Sequence, residues 1–391
     1  MRRFPAKRFP SDFSNRSNQA EPNPPVSPAQ EPAAPVLVDL NIEGVAYGGA
    51  GIARTDGFVV FVPFTIPGEK VQAKPYRSQK RFCEAELFAV ESPSPLRQSP
   101  VCELFGHCGG CAYQHVPYPT QLEWKANQVR ELLQRVGKIT NPPVASTIAS
   151  PQPLGYRNRI RVHAAHQEGS LHVGFYAKRG RGIVDVPSCP IAADEVNERL
   201  AALRSTRPNA GEYTLSARPE VLFFEQTNDG AAAELVRLVD SLIGSGHELL
   251  VDAYCGAGFF GSLLAHRFEK VAGIESHPGA IIAAQKKAAP NETYICGDVA
   301  AHLAKILASS DPTRTTVLLD PPAAGLSPGV TEILGKSPVR SLVYVSCDPA
   351  TLARDLGAFV RFGYALETVV PVDMFPQTAD IEVVASLSHG G

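Results

Sequence analysis

The chain lacks any excess of charge. Its 37 Lys and Arg stand against 39 Asp and Glu, a net charge of -2 over 391 residues, so a nucleic-acid surface has to come from local patches rather than overall basicity. It also lacks an apolar run approaching the roughly 18 residues of a membrane span, and Arg2-Arg3 are not followed by the apolar core of a secretion signal. A cytoplasmic protein without membrane contact is the expectation. In a reducing compartment its eight cysteines are better explained by metal or catalysis than by disulfides. The length is too great for one core and predicts two or three domains.

What is present comes in blocks. Residues 1–35 are rich in Pro, Ser, Asn and Gln and carry Arg2, Arg3, Lys7, Arg8 and Arg16 against few acids; such a segment cannot bury enough apolar surface to fold alone and reads as a disordered basic arm. Over 36–93, five short apolar stretches punctuated by Gly and Pro predict a small OB-like β-barrel. Barrels of this kind bind single-stranded nucleic acid with basic and aromatic side chains. Lys70, Lys74, Tyr76, Arg77, Lys80, Arg81 and Phe82 supply that mixture, with a merely solvated loop as the competing reading.

The next block, 94–210, opens on Cys102, Cys108 and Cys111, spaced C-x5-C-x2-C around glycines, with Cys189 much later before a proline. Four thiolates suit zinc as well as a [4Fe-4S] cluster, and spacing leaves both open. Leu122, Val129, Leu132, Leu133 and Val136 recur at helical spacing and predict an amphipathic helix over Tyr118–Val136. Arg157, Arg159 and Arg161 alternate with Asn158, Ile160 and Val162; on a strand this puts three guanidiniums on one face, where phosphates would bind. A surface strand without a ligand is the alternative.

From 211 to 391 the composition becomes α/β. Leu249–Ala253 reads as a buried strand ending in Asp252 and a Gly-rich turn, and Val271–Glu275 as a second ending in Glu275. A glycine turn lets backbone approach a ligand, and an acid about 20 residues on can hold ribose hydroxyls. NAD and S-adenosylmethionine both fit this geometry. The turn lacks the third glycine of the dinucleotide fingerprint, which favours S-adenosylmethionine. Asp298 would end the third strand, and Asp320, before Pro321-Pro322, the fourth.

Val343–Ser346 is another short apolar strand, and Cys347 follows it. Asp348 and Pro349 are a helix cap and a first-turn residue, so Cys347 sits where a strand ends and a helix begins. The helix dipole and free backbone donors there should favour a thiolate, which makes Cys347 a candidate nucleophile, with a buried core cysteine as the competing reading; ending the strand after that of Asp320, it should face the same crevice as the acids, which favours the nucleophile. Cys83, Cys255 and Cys296 carry no assigned chemistry, and packing is the expectation for each.

These residues form a set. The chain resembles the uracil-C5 RNA methyltransferases, in particular the branch with an N-terminal TRAM domain and an iron–sulfur cluster that methylates 23S ribosomal RNA. The resemblance covers about residues 36–388 and rests on Cys102/Cys108/Cys111/Cys189, Phe223-Phe-Glu-Gln-Thr-Asn228, Asp252-x-x-Cys-Gly-x-Gly258, Leu319-Asp-Pro-Pro322, Tyr344-Val-Ser-Cys-Asp-Pro-Ala-Thr-Leu-Ala-Arg-Asp355 and Asp373-Met-Phe-Pro-Gln-Thr-x-x-x-Glu382. It implies a Rossmann-like methyltransferase domain behind a TRAM barrel and a central iron–sulfur domain. It makes the metal a [4Fe-4S] cluster, matches Gln226, Tyr254, Phe259, Glu275, Asp298 and Asp320 to the S-adenosylmethionine contacts, Cys347 to the nucleophile and Glu382 to the general base. A single chain acting on RNA is implied.

Three positions depart from the family pattern: Ala323 where an arginine is usual, Phe259 where a polar side chain is common, and Asp380 where many relatives have histidine. Substrate positioning is what they bear on. The competing functions are a transfer-RNA uracil-C5 methyltransferase, an exocyclic-amino methyltransferase, which shares the acid-Pro-Pro element but needs no cysteine, and a noncatalytic RNA-binding assembly factor.

Overall fold

In a computed structural model the described residues are 37–55, 57–179, 182–218, 226–244 and 248–390. The predicted basic arm and Phe223–Glu225 of the six-residue motif lie outside them. Among the described residues no helix is long and apolar enough to cross a membrane.

Three sheets follow in chain order. The first holds β1 (Val38–Asn41), β2 (Gly44–Val45), β3 (Ala50–Thr55), β4 (Phe58–Pro63), β5 (Lys70–Ser78) and β6 (Phe82–Ser92), ordered β1-β5-β6-β4-β3-β2. Alternation sets its inner face: Val71 and Ala73 of β5 and Val60 and Val62 of β4 point into one small core with Leu40 and Ala85. Six strands stand where five were expected, because the stretch around 44–52 is broken by a turn at Gly48 and Gly49, both with positive φ. Tyr47, just before that turn, packs against a core other than the barrel's own.

Helix α1 (Tyr118–Arg135) forms as its periodicity predicts, but half of its buried side is polar: Gln121, Lys125 and Gln128 lie among Ala126, Val129 and Leu133. Val129 and Leu133 join the largest core, and Gly137 just beyond the helix meets Gly357 so closely that a Cβ on Gly357 would lie 2.4 Å from the Gly137 carbonyl oxygen.

The second sheet contains β7 (Arg159–Gln167), β8 (Ser170–Tyr176), β9 (Ile183–Asp185) and β10 (Gly211–Ser216), ordered β10-β7-β8-β9, with α2 (Asp194–Ser205) packed on it through Val196 and Leu200. The alternation holds, with Asn158, Ile160 and Val162 buried, but Arg157 and Arg161 have different surroundings. Arg157 precedes β7 and turns inward between the Tyr156 and Phe375 rings, 6.0 and 5.9 Å from their centroids, while Arg161 pairs with Glu212 at 3.3 Å.

After α3 (Asp229–Leu242) comes the third sheet. Its elements are β11 (Leu249–Ala253), α4 (Phe259–Leu264), β12 (Lys270–Glu275), α5 (Pro278–Lys287), β13 (Glu292–Cys296), α6 (Val299–Ala308), β14 (Thr315–Leu319), α7 (Val330–Lys336), β15 (Ser341–Ser346), α8 (Pro349–Arg361), β16 (Ala365–Val372) and β17 (Glu382–Ser388), in the order β13-β12-β11-β14-β15-β17-β16. Strands β11–β15 are parallel and covered on both faces, so they read as continuous apolar runs. Because β17 inserts antiparallel to β15, pairing Ser346 with Val383, the start of β17 lies at the same edge as the end of β15. That edge carries Asp252, Glu275, Asp320, Cys347 and Glu382 in one crevice, where open α/β sheets bind ligands.

Candidate active site

Cys347 occupies the strand-to-helix junction as expected. Asp348 caps α8, its carboxylate accepting from the Thr351 amide at 2.7 Å, and Ser346 Oγ accepts from the Asp348 amide at 3.2 Å. The residue is exposed, yet its thiol is not poised as a thiolate. Burial, then the nearby Glu382 and Asp320 carboxyls, push its pKa up to about 11, outweighing the backbone donor at the helix start. The expectation of a thiolate activated by the helix alone is therefore corrected: it counted the dipole and not the acids that the fold gathers opposite.

Those acids are themselves perturbed. Asp320 is pushed up to about 7 by burial, and Glu382, only 5% exposed, rises well above the usual carboxylate range through burial and then Asp320. Asp252, fully buried at the end of β11, rises to about 8 through burial, with Asp320 and Glu275 adding to it. Its Oδ2 accepts from the Gly261 amide at 2.8 Å, while Oδ1 has no partner. No cation among the described residues is paired with Asp252, Asp320 or Glu382.

The neighbouring turn is built for close backbone approach. Tyr254 holds a φ of 65°, its hydroxyl accepting from the Ser327 amide at 2.8 Å. Gly273 lies against the Tyr294 ring, where a Cβ would come within 2.3 Å of a ring carbon. Glu275 at the end of β12 accepts from the His277 amide at 2.7 Å, and Asp298 caps α6 by accepting from the Ala301 amide at 2.8 Å. Phe259 starts α4, partly exposed against Phe260. Gln226 lies near the start of α3, its carbonyl accepting from Asn158 Nδ2 at 2.9 Å. Cys255 is buried under the turn and Cys83 half-buried in the barrel, but Cys296 is exposed at the end of β13, so packing does not account for it.

The loop that delivers Glu382 is held by parts of the chain far away in sequence. Lys125, wholly buried, donates to the Asp373 carboxylate at 2.6 Å and to the carbonyls of Phe375 and Asp380 at 3.1 and 2.9 Å. One turn earlier, Gln121 donates to Gln377 Oε1 at 3.0 Å and accepts from the Gln377 amide at 3.2 Å. The amides of Ala112 and Tyr113 both donate to the Gln377 carbonyl, at 2.9 and 3.0 Å. Asp380 accepts from Lys125 through its carbonyl. Ala323 offers only its carbonyl, to Thr351 Oγ1 at 3.1 Å.

The TRAM domain family matches residues 37–88, and the tRNA (Uracil-5-)-methyltransferase family matches residues 302–389. An uncharacterized RNA methyltransferase of Nitratidesulfovibrio vulgaris is 30% identical over 90% of this chain and 96% of its own length, and one of Gloeobacter violaceus 31% over 90% and 96%. The chain belongs to the RNA (uracil-5-)-methyltransferase family. Among solved structures, Pyrococcus abyssi tRNA (uracil-54, C5)-methyltransferase in complex with S-adenosyl-L-homocysteine superposes with a TM-score of 0.65 at 25% identity, covering 90% of this chain and all of that one. This RNA (uracil-5-)-methyltransferase is accordingly a mixed α/β enzyme that uses S-adenosylmethionine behind an N-terminal TRAM domain.

Elsewhere in the methyltransferase, Cys102, Cys108, Cys111 and Cys189 line one cavity of about 180 Å³, together with Arg157. All four are free thiols. Burial raises Cys108 and Cys189 and pushes Cys111 up to about 12, and the other thiols of the set add to this. Among the described residues no group of three or more His, Cys, Asp or Glu is arranged to hold a metal ion. Residues that sequence reasoning missed are Asp252 as an unpaired acid, Tyr47, Gln121 and Lys125. Gln121 and Lys125 carry a weak signal, two polar residues spaced i, i+4 among the buried positions of one helix.

Proposed function

We propose that the enzyme methylates C5 of a uridine in 23S ribosomal RNA, with Cys347 as nucleophile and Glu382 as general base. The observation that carries this is the pairing of β15 with β17, which sets Cys347 and Glu382 at one sheet edge beside Asp320. Both catalytic groups and the acids of the cofactor edge come from one chain, which supports action as a monomer; an RNA substrate fits a cytoplasmic location. We take residues 36–93, 94–210 and 211–391 as the barrel, central and methyltransferase parts, with β10 tying the last two together.

C5 of uracil is a poor nucleophile, so the exposed Cys347 thiol first gives its proton to solvent and its sulfur then adds to C6, placing electron density on C5. Bound S-adenosylmethionine supplies the methyl group and a positive sulfonium. Gln226, Tyr254, Phe259, Glu275, Asp298 and Asp320 would line its place, and the unpaired Asp252 and Asp320 fit a cationic ligand. After methyl transfer, Glu382 removes the C5 proton and the C6–S bond breaks, returning Cys347 and leaving 5-methyluridine. The raised pKa of Glu382 makes it a strong base once ionised. A base in structured RNA must leave its stack to reach this crevice.

We further propose a [4Fe-4S] cluster on Cys102, Cys108, Cys111 and Cys189. The fit rests on four free thiols lining a cavity rather than converging on one ion; bound there, the cluster supplies a cross-link between two distant loops and no redox step in methylation. The second reading of the substrate is transfer RNA, favoured by the Pyrococcus abyssi enzyme's substrate. The deciding experiment incubates anaerobically purified protein and S-adenosylmethionine with 5-fluorouridine-substituted 23S ribosomal or transfer RNA. Fluorine cannot leave as a proton, so the RNA that is substrate becomes trapped. A cofactor-dependent adduct on Cys347 from the ribosomal RNA, absent in Cys347→Ala, is expected; an adduct from transfer RNA alone reassigns the substrate, and methyl groups on exocyclic amines without an adduct overturn the mechanism.

A further inference from the structure

We infer that the groove between the TRAM barrel and α1 is a second nucleotide site, which takes one unpaired base next to the target uridine together with its phosphate. The groove encloses about 560 Å³, within the roughly 300–1,000 Å³ of small-ligand sites. Its barrel wall carries Phe61 and Phe82, whose rings meet edge to face at 5.8 Å, and Arg54 and Arg81; Arg135 faces them from α1. Arg54 and Arg135 are balanced by Glu43 and Glu131, whereas Arg81 forms no ion pair among the described residues. A free guanidinium beside half-buried aromatic rings is what a base and its phosphate need, since stacking tolerates any base and the charge meets the backbone.

Continuity with the catalytic crevice says which RNA enters. Tyr47 lines the groove, and its hydroxyl donates to the Asp348 carboxylate at 3.4 Å, one residue from Cys347. Burial and the Asp348 and Asp380 carboxylates push the phenol far above its usual value, so it remains a neutral donor. Tyr47 thus joins the groove that Phe82 also lines to the crevice at Cys347. The occupant is therefore a neighbouring nucleotide of the same substrate. The inference rests on the crevice being where the target uridine enters.

The test measures, by fluorescence anisotropy, binding of full-length protein to a fluorescein-labelled nine-nucleotide RNA with one central uridine, and to versions made abasic at each position in turn. One stacked base is worth about 1–3 kcal/mol, or roughly 5–150-fold in affinity. One flanking abasic site should cost the wild type a factor in that range. Phe82→Ala should lose the same factor on intact RNA and nothing further on that abasic RNA. Arg81→Ala, an exposed change that leaves the fold untouched, should lower the slope of log affinity against log salt by about 0.7, the share of one single-strand phosphate. Equal affinity for all flanking abasic RNAs, a Phe82→Ala loss independent of the abasic position, or an unchanged salt slope in Arg81→Ala each overturns the site. Failure of the crevice reading shows differently: the central uridine could then be made abasic without loss, whatever the flanking positions do.

Discussion

Lys125→Met should be among the most damaging single changes in the chain. Lys125 and Asp373 are both wholly buried and 2.6 Å apart. Burial alone pushes the lysine pKa down, and the Asp373 carboxylate beside it opposes that shift. Removing the ammonium leaves a buried carboxylate without its cation and takes one donor each from the Phe375 and Asp380 carbonyls, the former still accepting from Thr378. Breaking a buried pair from one side costs about 3–5 kcal/mol, whereas replacing both partners with apolar groups is often close to neutral. Lys125→Met/Asp373→Leu should therefore recover at least about 2 kcal/mol of the single variant's loss, by the same comparison. Urea denaturation followed by fluorescence reads this directly, because the chain's one tryptophan, Trp124, lies next to Lys125 on α1 against the Tyr113 ring. A single-variant cost below about 1 kcal/mol, far from that of a stranded buried charge, or a double variant no more stable than the single, would refute the view that this pair holds the loop.

Two further outcomes follow from the crevice. With its thiol pushed up to about 11, Cys347 is held protonated in the unliganded enzyme at pH 7. Alkylation by iodoacetamide, mapped to the Cys347 peptide by mass spectrometry, should thus rise about tenfold per pH unit up to that value. Sinefungin, whose amine puts a positive charge where the sulfonium lies, should accelerate it at pH 7 and neutral S-adenosylhomocysteine should not; wild-type alkylation already as fast as that of an ordinary free thiol at pH 7 would count against the crowded-acid account. Gly273→Ala should weaken S-adenosylhomocysteine binding in calorimetry and lower stability by about 1–3 kcal/mol, because its Cβ would come within 2.3 Å of the Tyr294 ring and 2.9 Å of Cys255 Sγ. A Gly273→Ala variant of native stability and affinity would show that this packing does not shape the site.

The parts of the enzyme legible in its sequence are those fixed by neighbours a few residues apart. The Cys347–Asp348–Pro349 junction is readable because a cap and a first-turn proline are local chemistry, and the acids of β11, β12 and β14 because parallel strands place their ends at one edge. Alternation reveals the barrel, but not the division of its second stretch, which depends on two glycines at positive φ. Arg157 misleads for the opposite reason. A period-2 pattern assigns a face only within a strand, and Arg157 stands two residues ahead of β7, free to turn towards Phe375. The thiol pKa is beyond local reasoning altogether, since the acids that raise it lie 27 and 35 positions away along the chain and meet Cys347 only across the sheet.

Lys125 shows why this matters for function. By sequence it belongs to the central block, yet it neutralises an acid 248 positions later, and its helix covers the methyltransferase core through Val129 and Leu133. The same loop takes the Tyr156 hydroxyl on the Pro376 carbonyl at 3.0 Å and the Asn228 side-chain amide on the Met374 carbonyl at 3.1 Å. Tyr47 reaches the helix cap beside Cys347 from the barrel. Each contact is buried or half-buried, where leaving a polar group unpaired costs about 1–3 kcal/mol, so none is an optional surface bond. The residues of the crevice thus come from the α/β part, while contacts from the barrel and the central block hold the loop and the helix cap beside them.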